Sequence, residues 1–548
     1  MTLRVGCCAS TNNKGKMMQK ATIFAVVAGM FVSLTINVQD LMGAGNKDKA
    51  AQNKVVSYPE SPGSTASKTY TLAVNDTPVH VEAFEDIHYA QFAFEGECEV
   101  AVSIPPSIGQ RNLKYIHAYD IRPKRREPVA WCDLNTLHFK LRQPSKLVIT
   151  INEYQRLFLF ADAIETNVPS PGQPGVVNLA DFATDHTGSA LQTEAIARAV
   201  SKVGKGGTLY VPPGRYLTGT VVLKSDMTLY LAGGAVLQGS SNPADYPLEE
   251  GSWHWATQQF IRISDAKNVA VRGHGTIDAN GAVVRALQCG PHLLVARGCR
   301  NLLVEGIMVR DPAAWCLNLV DCHDATIRNV KGIDHRSVLN GDGYDVCSGS
   351  DILIEDAFHY TSDDAAVVKS CKDRPVDRVM IRGCVFLSKK SALKIGTESE
   401  ADISHVTFEN NDVVEADRGM TLACEDGHVI RDTKFINNRF ETSYPDARKR
   451  LIDFYTWNRG GGGTIENTLI KDCVADRKWP RPSTLFPASG PIDGVHFENF
   501  ILDGKVCRSL RDADLLVDTL PCNDDRRANA RNITFEHGIP VNLAILDK

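Results

Sequence analysis

Residues 351–383 read DILIEDAFHYTSDDAAVVKSCKDRPVDRVMIRG. Two short strands of the form apolar-x-apolar-polar stand in it, ILIED ending at Asp356 and VMIRG ending at Gly383, with their central anchors Ile354 and Ile381 27 residues apart. The unit recurs on both sides: LLVEG ending at Gly306, ATIRN at Asn329, VTFEN at Asn410, TKFIN at Asn437, TLIKD at Asp472 and VHFEN at Asn499. The anchors Val304, Ile327, Ile354, Ile381, Phe408, Phe435, Ile470 and Phe497 are spaced by 23, 27, 27, 27, 27, 35 and 27 residues. A near-constant period with strand patterning, and no amphipathic helix between copies, marks a solenoid whose coils each give a few strands. The expectation is a right-handed parallel β-helix. Each coil is too thin to bury its apolar residues alone, and stacking supplies the core. Asn, Asp and Gly at the strand exits suit left-handed turns. The LxxLxL pattern of a leucine-rich repeat is absent.

Upstream, residues from about 68 to 165 alternate in short β-rich runs such as KLVITIN (146–152) and LFLF (157–160), which predicts a small β-sandwich. NVPSPGQPG (167–175) reads as a linker. Ala190–Val203 places Leu191, Ile196, Ala199, Val200 and Val203 near helical spacing, so one amphipathic helix is expected to cap the solenoid. At the start, Lys14, Lys16 and Lys20 precede the apolar run Ala21–Val38, and small residues follow at Gly43–Gly45. That order is an export signal with cleavage near residue 45; Met17 or Met18 is an alternative start, and an uncleaved membrane anchor the ordinary alternative. The expected division is leader 1–45, β-sandwich 46–167 and β-helix 168–548, an all-β chain delivered to the periplasm or outside the cell, with no membrane contact after the leader is removed.

Composition narrows the partners. Sixty Lys and Arg against 65 Asp and Glu give a net charge of −5, which provides no field for nucleic acid. Of 15 cysteines, Cys7 and Cys8 lie in the leader; the other 13 scatter without a CxxC and read as core thiols rather than a zinc site or a complete disulfide framework.

Chemistry concentrates at three aspartates. Asn340-Gly341-Asp342-Gly343-Tyr344-Asp345 is followed 21 and 22 residues after Asp342 by Asp363 and Asp364. One coil spans about that length, so the two motifs are expected on adjacent coils of one face. Crowded carboxylates raise at least one pKa, which keeps one acid protonated beside ionised neighbours, the division of roles that acid–base hydrolysis needs. The ordinary alternative, turn aspartates such as Asp356, fits a single Asp better than an adjacent pair facing a Gly-bracketed third.

From about Val176 onward the chain resembles glycoside hydrolase family 28, the polygalacturonase family with its pectin lyase-like β-helix. GGTLYVPPGRY (206–216), GHGTIDANG (273–281), Asn340–Asp345 and SDDAAVVK (362–369) carry the resemblance. It implies Asp363 as general acid and Asp342 and Asp364 as the groups that activate water, with inversion where acid and base stand about 6.5–9.5 Å apart. The chain departs from the family pattern at two places. Ser391 stands at the family's histidine position, and Thr421 and Ala423 stand at its basic Arg-x-Lys pair. Lys369, Lys394, Arg418, Arg448 and Lys449 are candidates to replace the missing charge.

Lys394, Glu398, Asp345 and Lys369 are further expected to bind substrate, Tyr455 and Trp457 to stack on a sugar ring, and His335 to stand in for the missing histidine. A leading β domain before a β-helix also resembles dextranase and isopullulanase, which act on neutral α-glucans. A polysaccharide lyase or a non-catalytic glycan-binding protein are the remaining readings. A polysaccharide is the expected partner, and no metal or organic cofactor is implied.

Overall fold

A computed structural model describes residues 20–27, 30–37, 54–105, 115–249, 258–443, 450–517, 530–536 and 541–543. Within the expected leader, Lys20–Val27 and Met30–Asn37 pair as an antiparallel hairpin in a unit of its own, Met1–Lys54; its side chains and the expected cleavage region lie outside the described residues. Everything from Val55 to Lys548 forms the second compact unit.

That second unit begins with two sheets, one antiparallel and one mixed, in which Ile87–Glu95 and Arg156–Ala163 run parallel. One runs in the order Ala130–Asp133, Thr136–Leu141, Cys98–Ser103, Thr71–Val74, Thr77–Val79; the other is built on Ile87–Glu95, Arg156–Ala163 and Ser145–Ile151. Strand alternation decides what each face buries. In Arg156–Ala163, Leu157, Leu159 and Ala161 enter the core between the two sheets. Phe158 and Phe160 point the other way, onto Met308, Phe358, Tyr360 and Leu387 of the β-helix. Lys331 is fully buried at this contact, with Nζ 2.9 Å from Asp162 Oδ2. The sandwich is therefore mortised onto one flank of the solenoid.

The β-helix itself comprises, among the described residues, a 23-stranded sheet from Val176–Asn178 to Val541–Leu543 and a 13-stranded sheet from Thr187–Leu191 to Lys505–Val506. Pairing is parallel throughout except for the last pair of each sheet, and the architecture is the right-handed parallel β-helix. The anchors read from the sequence stand in one register line: Val304, Ile327, Ile354, Ile381, Phe408, Phe435, Ile470 and Phe497 are successive cross-strand partners. All are essentially inaccessible to water, and Phe408 lies parallel to Phe435 at 5.1 Å. Each exit residue, from Gly306 and Asn329 to Asp472 and Asn499, has positive φ. Inside the turns, Asn438 Oδ1 accepts from Asn411 Nδ2 at 3.0 Å, one rung of a buried amide ladder.

The expected cap is shorter than its sequence window: Thr193–Lys202 is helical and buries Ala195, Ile196, Ala199 and Val200, while Thr187–Leu191 pairs as a strand first. Twelve described cysteines are free thiols, all buried except Cys132.

Candidate active site

Two turns build the site. Asp342 lies in the turn that leads into Tyr344–Glu355, and Asp363 and Asp364 lie in the turn that leads into Ala366–Ser370. Tyr344 pairs with Ala366 in register. The Asp363 N–H donates to Gly341 O at 3.0 Å, and the Gly343 N–H to Asp364 O at 2.9 Å. A separation of 21 and 22 residues thus becomes a single coil rise of about 4.8 Å. The glycines that bracket Asp342 are demanded by this contact: a Cβ at Gly341 would come 2.3 Å from Ser362 Oγ, and one at Gly343 2.5 Å from Ala365 O. Thr361 and Ser388 hydroxyls both donate to the Asp363 carbonyl at 2.7 Å, which fixes the turn from two sides.

Asp342, Asp363 and Asp364 line one cavity of about 300 Å³ together with Lys369, Lys394 and Glu398. Their charges are not equivalent. Burial, reinforced by the charges of Asp364 and Asp342, pushes Asp363 up to about 7. Burial pushes Asp364 up too, but Lys394 outweighs it: Nζ lies 2.7 Å from Oδ2, and the Ser391 N–H donates to Oδ1 at 2.8 Å, so this carboxyl is held below the usual carboxylate range. Burial raises Asp342, and Lys369 at 3.2 Å only partly opposes the rise. Asp345, buried under the cavity floor, is raised well above its ordinary value by burial despite Lys369 Nζ at 2.8 Å. Lys369 itself is buried, yet the carboxylates of Asp345, Asp342 and Glu398 outweigh burial and hold its ammonium charged. It also sits 3.5 Å from the centroid of the Trp315 ring.

Of the residues expected at the site, the structure brings together Asp342, Asp363, Asp364, Lys369, Lys394 and Glu398. It does not bring the others into the cavity lining. Asp345 works from beneath through Lys369. His335 faces the sandwich, with Nε2 2.5 Å from Glu85 Oε1, so it does not take the missing histidine's place; Ser391 offers its backbone and Lys394 its ammonium there instead. Tyr455 is hydrogen-bonded to Glu425 further along the solenoid, and Trp457 leans on Phe486 at 6.0 Å. Thr421 and Ala423 are buried and neutral. Arg418 is held by Asp453 at 2.9 Å, and Arg448 and Lys449 lie outside the described residues.

Sequence reasoning missed Trp315, Arg285 and His292, which complete the lining. Nothing in the local pattern of AAWC (313–316) marks that tryptophan as a cleft wall. Among the described residues, Cys316, Asp334 and His359 form a buried group of metal-ligating type behind the turns. Asp334 is already engaged there: it accepts from His359 Nε2 at 3.0 Å and from the Ser362 N–H at 3.1 Å.

Comparison with known proteins agrees with this architecture. Residues 204–443 match the model of glycosyl hydrolases family 28. An exo-poly-alpha-D-galacturonosidase of Dickeya chrysanthemi is 24% identical over 45% of this chain, and the chain spans only 52% of that relative's length. Among solved structures, Dex49A from Penicillium minioluteum superposes with a TM-score of 0.60 at 13% identity, over 88% of this chain and 96% of that one. A family 28 exopolygalacturonase from Yersinia enterocolitica gives 0.51 at 16% identity, over 81% and 97%. The whole described cavity lining falls within residues 204–443, the stretch that matches glycosyl hydrolases family 28.

Proposed function

We propose that the protein is an exported, inverting glycoside hydrolase that cleaves α-linkages in a pectic or related polysaccharide. The observation that carries this reading is the unequal protonation of neighbouring carboxyls: Asp363 rises to about 7 while Asp364 is held ionised by Lys394. Asp363 donates its proton to the glycosidic oxygen as the bond from the anomeric carbon to that oxygen breaks, and the bonding pair stays with the leaving oxygen. A water on the opposite face forms the new bond, and its proton passes to Asp364, assisted by Asp342. The sugar is released with inverted configuration. Lys369 and Lys394 keep the cluster from collapsing into shared protonation, because each ammonium offsets carboxylate repulsion at a stated partner. In the same reading, residues 1–45 are the export leader, 46–167 a β-sandwich domain and 168–548 the catalytic domain. Among the described residues, no helix is long and apolar enough to cross a membrane.

A neutral α-glycan is the second substrate class, favoured by one observation: both positions of the family's basic pair, Thr421 and Ala423, are uncharged. Release of reducing ends from a panel of pectic and neutral polysaccharides decides between the two. Nuclear magnetic resonance of the first product reads the anomer: inversion is expected, and retention overturns the mechanism. Unsaturated, ultraviolet-absorbing products would make the protein a lyase. Binding without turnover would make it a glycan-binding protein.

A further inference from the structure

Behind the two active-site turns lies a buried pair of side chains that the hydrolysis scheme does not use. Asp334 and His359 are 1% and 0% exposed, and neither lines the cavity. His359 is the register partner of Gly332 on the preceding coil, and the Asp334 N–H donates to Tyr360 O at 2.9 Å. Two residues 25 positions apart are thereby brought together, with His359 Nε2 at 3.0 Å from Asp334 Oδ1. Among the described residues, His359 Nδ1 has no hydrogen-bond partner. The tautomer that leaves no buried N–H unbonded therefore carries its proton on Nε2 and donates it to Asp334.

The pair reaches both turns. Asp334 Oδ2 accepts the Ser362 N–H at 3.1 Å, and Ser362 directly precedes Asp363. The Thr361 and Ser388 hydroxyls hold the Asp363 carbonyl, so the acid is anchored on both sides of its Cα. Toward the Asp342 turn, glycines make the room: a Cβ at Gly341 would come 2.9 Å from Asp334 Oδ2, and one at Gly343 2.7 Å from His359 Nδ1. A Cβ at Gly332 would strike the same imidazole at 2.3 Å. Tyr344 packs edge-on against that ring at 5.0 Å, and its hydroxyl is tied to Val330 O and Phe358 O, each at 3.2 Å. A donor of fixed height is thus clamped beneath a carboxylate of fixed height.

We propose that Asp334 and His359 are positioning residues: bonded to each other, they set the height of the Asp363 turn against the Asp342 turn, and with it the gap in which the glycosidic bond and the attacking water must fit. The proposal rests on the hydrolase reading above and deepens it by naming what holds the acid in place. Geometry of this kind is exacting, because a misplacement of about 1 Å costs about 10²-fold in rate.

Three variants of the full-length protein test it. His359→Phe keeps a ring and removes the donor; kcat is expected to fall about 10- to 100-fold with KM changed by less than about twofold, the mark of lost alignment rather than lost binding. His359→Gln restores an N–H for Asp334 and is expected to recover most of that loss. Asp334→Asn sets an amide N–H against the imidazole N–H and is expected to resemble His359→Phe. Infrared difference between each variant and its Asp363→Asn double reads the acid without substrate. In His359→Phe and Asp334→Asn its midpoint should fall below that of wild type, because a slackened turn lets water reach the carboxyl, whereas in His359→Gln it should stay near wild type. Wild-type kcat and midpoint in His359→Phe would overturn the proposal, and so would equal losses in His359→Phe and His359→Gln. If His359→Phe does not fold, Asp334→Asn decides by the same two readings. A lowered midpoint with no turnover on any polysaccharide upholds the pair and defeats the hydrolase reading; full turnover in His359→Phe does the reverse. Cys316 stands in the same group of metal-ligating type. One zinc per chain in the purified protein, lost in Cys316→Ser, would make the group a metal centre and overturn the hydrogen-bonded pair.

Discussion

Two rows of turn residues run along this solenoid, and they are made of much the same amino acids. At the strand exits, Asn329, Asp356, Asn410, Asn437, Asp472 and Asn499 all take φ between 47° and 58°. Asp356, half exposed, meets the buried Lys146 of the sandwich at 2.7 Å, and Asn437 and Asn499 donate to exit-row neighbours Asn410 and Asp472. At the cavity, Asp342 and Asp364 are 4% and 5% exposed and face ammonium groups rather than water. What separates a structural aspartate from a chemical one here is burial beside a second acid and a cation, not the residue or the repeat position.

The comparison breaks most sharply at Asp363. Asp363→Asn removes the proton donor and is expected to lower turnover by about 10³- to 10⁴-fold, measured as reducing ends, in line with the upper range for general acid catalysis. The same change should raise thermal stability above neutral pH. Because the folded-state pKa lies above the carboxyl's ordinary value, this group's stabilising contribution is complete in acid and is lost as pH rises through about 7. The variant should therefore melt higher than wild type at pH 8, and the gap should close toward pH 4; a gap that widens in acid would refute the assignment.

Lys369→Met leaves Asp342 and Asp345 buried without their cation, and denaturant titration should show a loss of about 3–5 kcal/mol, the range for breaking a buried ion pair. Lys394→Gln should act on chemistry more than on fold. Removing its charge lets Asp364 rise, so the acidic limb of the kcat/KM profile should move to higher pH, while the basic limb, set by loss of the Asp363 proton, stays near 7 or shifts up. At the exit row the effects shrink. Asn410→Ala places an ordinary side chain at φ 58° and should cost about 1 kcal/mol with turnover unchanged; a loss of activity would mean the two rows are coupled.

Much of this was legible in the sequence, because a parallel solenoid converts spacing directly into position. Eight anchors at 23 to 35 residues became one register line, and the 21- and 22-residue offsets became one face. The legibility ended where contacts are not set by the repeat. Trp315 enters the cavity from the coil before Asp342, and Arg285 from an inserted helix, so neither carries a periodic mark. Tyr455 and Trp457 were misleading because the 35-residue coil sets them beyond the cavity. His335 sits near Asp342 in sequence, but the docked sandwich offers Glu85 and draws it away. The sandwich contact itself, with Phe158 and Phe160 on one strand face and Lys331 against Asp162, joins residues more than a hundred positions apart, which no local pattern encodes.

Infrared difference spectroscopy of the ligand-free protein across pH reads the split protonation without any substrate. Asp311 and Asp345 are also raised by burial and contribute protonated carboxyl bands that wild type and Asp363→Asn share, so the difference between the two proteins is what isolates Asp363. That difference should show one protonated carboxyl that ionises with a midpoint near pH 7; a difference with no such band, or a carboxyl that has already ionised by pH 5, would contradict the division of labour among the three aspartates.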